Sequence, residues 1–216
     1  MHSPQPQQPK VNYQSETDRI LQHLPQDRVP TLFLHACCAP CSSYVLEYLS
    51  RYFSITLFFY NPNIHPQSEY DRRLAEELRL CETLGVEAVA CRYDPERFFE
   101  AARGLEGEKE GGARCLSFFR LRLLHTAELA ASRGIDLLTS TLTVSPHKNA
   151  QAVNRIGEEA AARCGIRWLP SDFKKKNGFL RSLELSRQYG LYRQDYCGCV
   201  FSMPKQDDKQ NEEGSK

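Results

Sequence analysis

The 216-residue chain has no apolar run approaching the roughly 20 residues that a membrane-crossing helix needs. Its opening stretch, MHSPQPQQPK, lacks the apolar segment of a secretory signal, so a cytoplasmic protein is expected. A formal net charge of +1 supplies no bulk field for gathering a polyanion, and any nucleic-acid contact would have to be a local patch. No internal repeat is visible. No glycine falls between Leu34 and Arg51, which argues against a phosphate-cradling loop after the first strand. The remaining composition, 41% hydrophobic and 25% charged, is that of an ordinary globular protein long enough for one good core.

Cysteine is what the chain has in excess. There are nine, an odd number, and without a secretory signal they are not expected to form a disulfide scaffold. Six are clustered: Cys37, Cys38 and Cys41 in HACCAPCSS, Cys115 in GGARC, and Cys197 and Cys199 in YCGC. Adjacent Cys37 and Cys38 cannot form an ordinary bridge, and Cys197 and Cys199 are awkwardly close for one. Metal binding is the leading use. Thiolates are soft ligands that select zinc, Cu(I) or iron–sulfur clusters. Structural zinc favours paired short motifs that build a small module. Here the thiols run from Cys37 to Cys199 across separate elements, which favours an iron–sulfur or mixed iron site over zinc or thiol redox chemistry. Six thiols exceed the four ligands of a cubane cluster, leaving a surplus for a second metal. Cys81, Cys91 and Cys164 stand alone and read as core thiols.

The pattern between the clusters alternates. Strands are expected at 31–35, 54–60, 86–90, 135–141 and 166–170. Helices are expected at 42–51, 69–84, 114–133, 149–163 and 179–189, the second burying Leu74, Leu78, Cys81 and Leu84 on one face. This alternation implies an α/β fold with a mainly parallel sheet and flanking helices, whose sites lie beyond the carboxyl ends of the strands. CCAPC, NPNIHP and VSPHKN each follow a strand and fall at that end. Residues 13–204 are expected to form one domain between polar, disordered tails at 1–12 and 205–216. The Gly-rich, acidic GLEGEKEGGA (104–113) is expected to be a solvated loop able to move over a site.

CCAPC, FFYNPNIHPQSEYDRR, GLEGEKEGGARC followed by RLRL, TSTLTVSPHKN and YCGCVFS together resemble the QueH-type epoxyqueuosine reductases, in the family's order from Leu32 to Ser202. These are the cobalamin-independent enzymes that complete queuosine in tRNA. The resemblance implies a fold like the adenine-nucleotide α-hydrolase (HUP) group. It also implies a [4Fe–4S] cluster with an adjacent mononuclear iron, held by Cys37, Cys38, Cys41, Cys115, Cys197 and Cys199. The family reads R-C-x-x-C in the middle motif, whereas this chain has Phe118 at the last position and Cys41 where an aspartate can stand, so Cys41 is expected to carry part of the ligand load. Asp195, His65, Tyr60 and His147 are the candidate proton donors. Asn61 and Asn63 are candidates to shape the substrate loop. Lys148, Lys174, Lys175, Lys176 and Arg181, with Arg72 and Arg73 beside them, are candidate contacts to the tRNA anticodon loop. An external electron donor is implied. The alternatives are a zinc-stabilised RNA-binding module and a nucleotide-hydrolysing HUP-like protein.

Overall fold

The structure is a computed structural model and describes residues 11–203. The expected C-terminal tail lies outside that range, as does the expected N-terminal tail apart from Val11 and Asn12. Those two are tied down: the Asn12 side chain caps the first helix by accepting from Ser15 N at 3.3 Å, and Gln151 Nε2 donates to the Val11 carbonyl at 2.8 Å.

In chain order the elements are α1 (Tyr13–Gln22), β1 (Thr31–Ala36), α2 (Ala39–Leu49), β2 (Ser54–Phe59), α3 (Gln67–Leu84), β3 (Glu87–Ala90), α4 (Pro95–Ala102) and α5 (Ala113–Ser132). They continue with β4 (Leu137–Ser140), a 3-10 turn (Thr141–Val144), α6 (Ala150–Arg163), β5 (Arg167–Trp168), α7 (Gly178–Gln188) and a short 3-10 turn (Val200–Ser202). The five strands make one all-parallel sheet in the order β3-β2-β1-β4-β5. The α/β reading and the parallel sheet are therefore as expected.

Strand period explains the two layers. Leu32, Leu34 and Ala36 of β1 pack into one core with Val45, Leu46 and Leu49 of α2, Leu80 of α3 and Phe173. Phe33, between them, faces the other way into a second core with Leu123 and Ala127 of α5 and Val153 and Ile156 of α6. His35 continues that second face and is fully buried. Its imidazole lies 2.9 Å from Ser140 Oγ of β4 and 3.2 Å from the Tyr60 carbonyl after β2, so it ties three strand ends together. Burial, with the Arg122 cation adding to it, brings its pKa down to about 3, and the ring is neutral. Chain order reverses between β1 and β4, leaving a crevice at the carboxyl ends of those two strands, where open α/β sheets place their ligands.

Three expectations need correction. Helix α2 begins at Ala39 rather than Ser42, because Pro40 is suited to a first helical turn; Cys38 becomes the N-cap and Cys41 lies inside the helix. The expected face of α3 holds at Cys81, which is buried, and at Leu74 and Leu84, which pack part-buried against the core, but Leu78 is exposed, and the other buried positions are Tyr70, Arg73, Glu77 and Leu80. Helices α1 and α4 were not anticipated. Helix α1 buries Tyr13 and sets Ile20 and Leu21 against the core but interleaves them with buried polar Gln14 and Thr17, the latter donating to the Pro170 carbonyl at 2.7 Å, so its apolar stripe is short and broken. Helix α4 is eight residues long and announces itself only by Asp94-Pro95 ahead of Phe98 and Ala102. Among the described residues no helix is long and apolar enough to cross a membrane.

Glu77 has a measurable consequence. It is wholly buried, neither carboxyl oxygen has a hydrogen-bond partner of good geometry among the described residues, and burial, opposed by nearby Ser42 and reinforced by the Cys37 thiolate, pushes its pKa up from 4.5 to about 8. Between those values the folded chain holds a proton that the unfolded chain has lost, so stability falls as pH rises through that window. Glu77→Gln removes the penalty, which is on the order of a few kcal/mol. The variant is expected to melt at the wild-type temperature near pH 4 and well above it at pH 8; equal or lower melting at pH 8 would contradict the assignment.

Candidate metal centre

The first three thiols meet where β1 runs into α2. Cys37, Cys38 and Cys41 place their sulfurs within 4.8 Å of one another, with Cys37 and Cys38 Sγ 3.8 Å apart. Thr141, leading out of β4, fastens this turn across the crevice. Its hydroxyl accepts from Cys37 N at 3.1 Å and lies 3.3 Å from Cys37 Sγ, to which it donates. The N-terminus of α2 adds its dipole, which favours negative charge on sulfur. Cys38, Cys41 and Thr141 donating toward Cys37 hold its pKa well below the usual thiol range, while Cys38 and Cys41 are driven upward. The trio thus keeps one thiolate and two thiol donors, whose protons would pass to solvent as the sulfurs took up a metal ion.

Cys197 and Cys199 arrive on a loop with no regular structure, and α3 anchors it. Arg73, 2% exposed, donates to Glu69 at 2.6 Å and to the carbonyls of Tyr196 and Cys197 at 3.3 Å each. The Tyr196 ring lies under the same guanidinium, and its hydroxyl donates to the His65 carbonyl. His65 N in turn donates to the Gly198 carbonyl at 2.8 Å. Gly198 has φ +100°, and a Cβ there would sit 2.9 Å from Arg73 Nη1 and 3.0 Å from Ile64 Cγ1. Glycine is required both for the backbone angle and for the close approach. Cys199 as donor, with Lys148 and Ser202 assisting, brings the Cys197 thiol down to about 5; Cys199 is driven up. Cys115 sits in the first turn of α5, where Gly111 N donates to its sulfur at 3.2 Å.

All six clustered cysteines line one cavity of about 480 Å³, within the usual range for a small-molecule site. Asn63, Phe118, Arg122, His147, Lys148 and Asp195 share the wall. His65 and Tyr60 are not brought to it. His65 stacks among Phe98 and Phe99 with Nδ1 3.2 Å from the Tyr93 hydroxyl, and Tyr60 is buried against His125, its hydroxyl making no hydrogen bond among the described residues. Asn61 is also behind the wall, donating to the Ala36 carbonyl at 2.8 Å and accepting from Arg122 at 3.2 Å. Cys81, Cys91 and Cys164 lie outside the cavity, Cys91 beside His125 at 3.5 Å.

The cationic candidates divide. Lys148 is on the cavity wall, 3.4 Å from Glu110 of the acidic loop. Lys174, Lys176 and Arg181 are each paired within the chain, with Asp172, Asp18 and Glu47, the last two pairs at the surface, and Lys175 is exposed. Arg73 is no surface cation but the buried anchor just described, and Arg72 lies 3.4 Å over the Tyr192 ring. Sequence reasoning missed the Arg73 anchor, Thr141 and Arg122. The charge of an arginine says nothing about burial, and only the spacing of Arg73 four residues after Glu69 hints at a pair.

A family model described as epoxyqueuosine reductase QueH matches residues 32–205. The chain belongs to that family. Curated relatives named epoxyqueuosine reductase QueH include one from Staphylococcus epidermidis, 41% identical over 91% of this chain and 87% of its own length. Another, from Streptococcus pyogenes serotype M1, is 41% identical over 91% of this chain and 80% of its own. A third, from Thermotoga maritima, is 31% identical over 84% and 95%. Among solved structures, the U34-tRNA thiolase NcsA from Methanococcus maripaludis with its [4Fe–4S] cluster aligns with a TM-score of 0.53 at 13% identity, over 88% of this chain and 68% of that one. The NMN synthetase from Francisella tularensis aligns at 0.52 and 11%, over 93% and 82%. At such identities these two establish the HUP-like fold alone.

The anchoring of the second thiol pair can be tested without turnover. Gly198→Ala is expected to weaken binding of Co²⁺ to the metal-free protein by about tenfold or more, equivalent to about 1.4 kcal/mol. Gly104→Ala, which also takes a positive φ but has nothing within 4 Å, is expected to leave it unchanged. Equal behaviour of the two variants in a titration of the thiolate charge-transfer absorption would contradict the anchoring account.

Proposed function

We propose that the chain is a tRNA epoxyqueuosine reductase, converting the epoxide of epoxyqueuosine in tRNA to the alkene of queuosine. The change removes one oxygen as water and consumes two electrons and two protons. The observation that carries this reading, beside family membership, is the convergence of six thiols on one cavity. Side chains do not perform such a reduction alone, and a cofactor must supply the electrons. The donor set suits one: the sulfurs are soft, partly buried and more numerous than four, and the Cys37–Cys38–Cys41 trio contains no oxygen or nitrogen ligand. When bound, a [4Fe–4S] group and a neighbouring iron would supply single electrons and a Lewis acid for the epoxide oxygen.

The chain's own residues do the rest. Cys37, Cys38, Cys41, Cys115, Cys197 and Cys199 hold the metals. Phe118 occupies the wall with its ring 4.4 Å from that of Phe98 and cannot ligate, and Cys41, beside Cys37 and Cys38, takes over its share. Asp195, exposed at the cavity rim, is the group we assign to deliver a proton; His65 and Tyr60, behind the wall, are left without that role. Lys148 and Lys175 are the cations we assign to tRNA phosphates: Lys148 lines the cavity and its Glu110 contact, at 3.4 Å, is looser than the carboxylate pairs of Lys174, Lys176 and Arg181 at 2.6, 2.7 and 2.8 Å, and Lys175 is exposed. An external donor replaces the electrons. Residues 13–204 act as one domain in this reading.

Anaerobically purified protein is expected to be brown, to contain iron and acid-labile sulfide, and to turn over tRNA carrying epoxyqueuosine. Cys41→Ala is expected to lose turnover and part of its iron; full turnover would remove Cys41 from the ligand set, and a colourless zinc protein would favour an RNA-binding module. Lys148→Glu is expected to weaken tRNA binding and reduce its salt dependence by about one unit of slope, whereas Lys174→Glu is expected to do less.

A further inference from the structure

Arg122 stands two turns along α5 from Cys115, on the same face of the helix. It lines the cavity, is 6% exposed, and among the described residues has no carboxylate within ion-pairing distance. Its Nε donates to the Phe118 carbonyl at 3.3 Å within its own helix, and Nη1 donates to Asn61 Oδ1 at 3.2 Å. Nη2 makes no hydrogen bond among the described residues. Asn61 is itself held by the Ala36 carbonyl, so the guanidinium is fixed in place by a rigid strand end.

A cation buried without a counter-charge is strongly unfavourable, and a fold that keeps one has an anion to set against it. Behind Arg122 is His35, which is neutral. Burial presses against the charge on Arg122; sharing the cavity with it are the sulfurs of Cys37, Cys115, Cys197 and Cys199, and negative charge on them favours its cationic form. The other buried arginine on the cavity wall, Arg73, already has Glu69. Arg122 is therefore the one buried cation among the described residues of the wall whose charge is answered only by thiolates.

We propose that Arg122 is the fixed counter-cation of the thiolate-held group: it offsets the negative charge of the ligating sulfurs and raises the potential at which the site accepts an electron. This rests on the iron–sulfur reading above. Each reduction adds one electron to the site with no bond made or broken, so the site's charge becomes more negative by one unit. A nearby fixed positive charge in a low-dielectric cavity stabilises that product more than the starting state.

The test is an anaerobic redox titration of the full-length, iron-loaded protein with dithionite, followed by its visible absorption. Arg122→Gln, which removes the charge and keeps an amide to bond Asn61, is expected to lower the equilibrium constant for one-electron uptake at least tenfold, about 59 mV. Arg122→Lys keeps the charge and is expected to stay close to wild type. Asn61→Asp leaves Arg122 in place but sets a carboxylate against it, and is expected to shift the potential in the same direction as Arg122→Gln; it carries the test where Arg122→Gln fails to retain iron. Native iron and sulfide content with an unchanged potential in Arg122→Gln and Asn61→Asp would overturn this inference alone. A wild-type protein without iron and sulfide would overturn the iron–sulfur reading and this inference with it.

Discussion

A buried guanidinium, that of Arg73, holds the second half of the candidate metal centre in place. Half of the thiols belong to the end of β1 and the first turn of α2, where strand and helix leave them little freedom. Cys197 and Cys199 belong to a loop with almost no regular structure, and nothing in the loop itself would hold them at the cavity. Arg73 does so by bonding two loop carbonyls, and Glu69 neutralises it in place. Gly198 is the backbone's side of the same contact, because any larger residue would meet the guanidinium. Helix α3 thus gives up part of its apolar face to polar anchoring, which its sequence pattern conceals.

The fold supplies a crevice and the local chemistry decides what it holds. In α/β proteins of this type the turn after the first strand, opening onto a helix N-terminus, is a natural place for an anion. Where a glycine-rich turn would expose backbone N–H groups to phosphate, this chain places Cys38 at the N-cap with Cys37 and Cys41 on either side. The same positive helix end then favours thiolate. Arg122 and Thr141 extend that preference across the cavity, one by charge and one by hydrogen bonding. The arrangement suits soft metals in a partly dry site.

Much of this was legible in the sequence, and the reason is periodicity. Short β-branched and aromatic runs such as TLFLH and SITLFF, spaced by amphipathic helices, specify a parallel sheet, and cysteine spacing argues against disulfides within the short motifs. The six ligand candidates could be chosen without coordinates because few other roles suit such thiols in a chain of this kind. Long-range partners were not legible. Nothing in the order of residues says that Arg73 reaches Cys197, that Lys176 pairs with Asp18, or that His65 and Tyr60 turn away from the cavity. Helix α1 is hard to read because its core-facing side mixes apolar Tyr13, Ile20 and Leu21 with polar Gln14 and Thr17, and Thr17 is held there by hydrogen bonds.

The central claim is that six sulfurs from three separate segments share one iron-bearing site. X-ray absorption at the iron edge of anaerobically prepared protein tests this most directly, since it reads the atoms around the metal without reference to activity. The account predicts an iron shell dominated by sulfur, together with the short iron–iron distance of a cluster, and loss of sulfur scattering when Cys197 and Cys199 are both replaced by serine. Iron surrounded mainly by nitrogen and oxygen, or a sulfur shell unaltered by that double replacement, would contradict it.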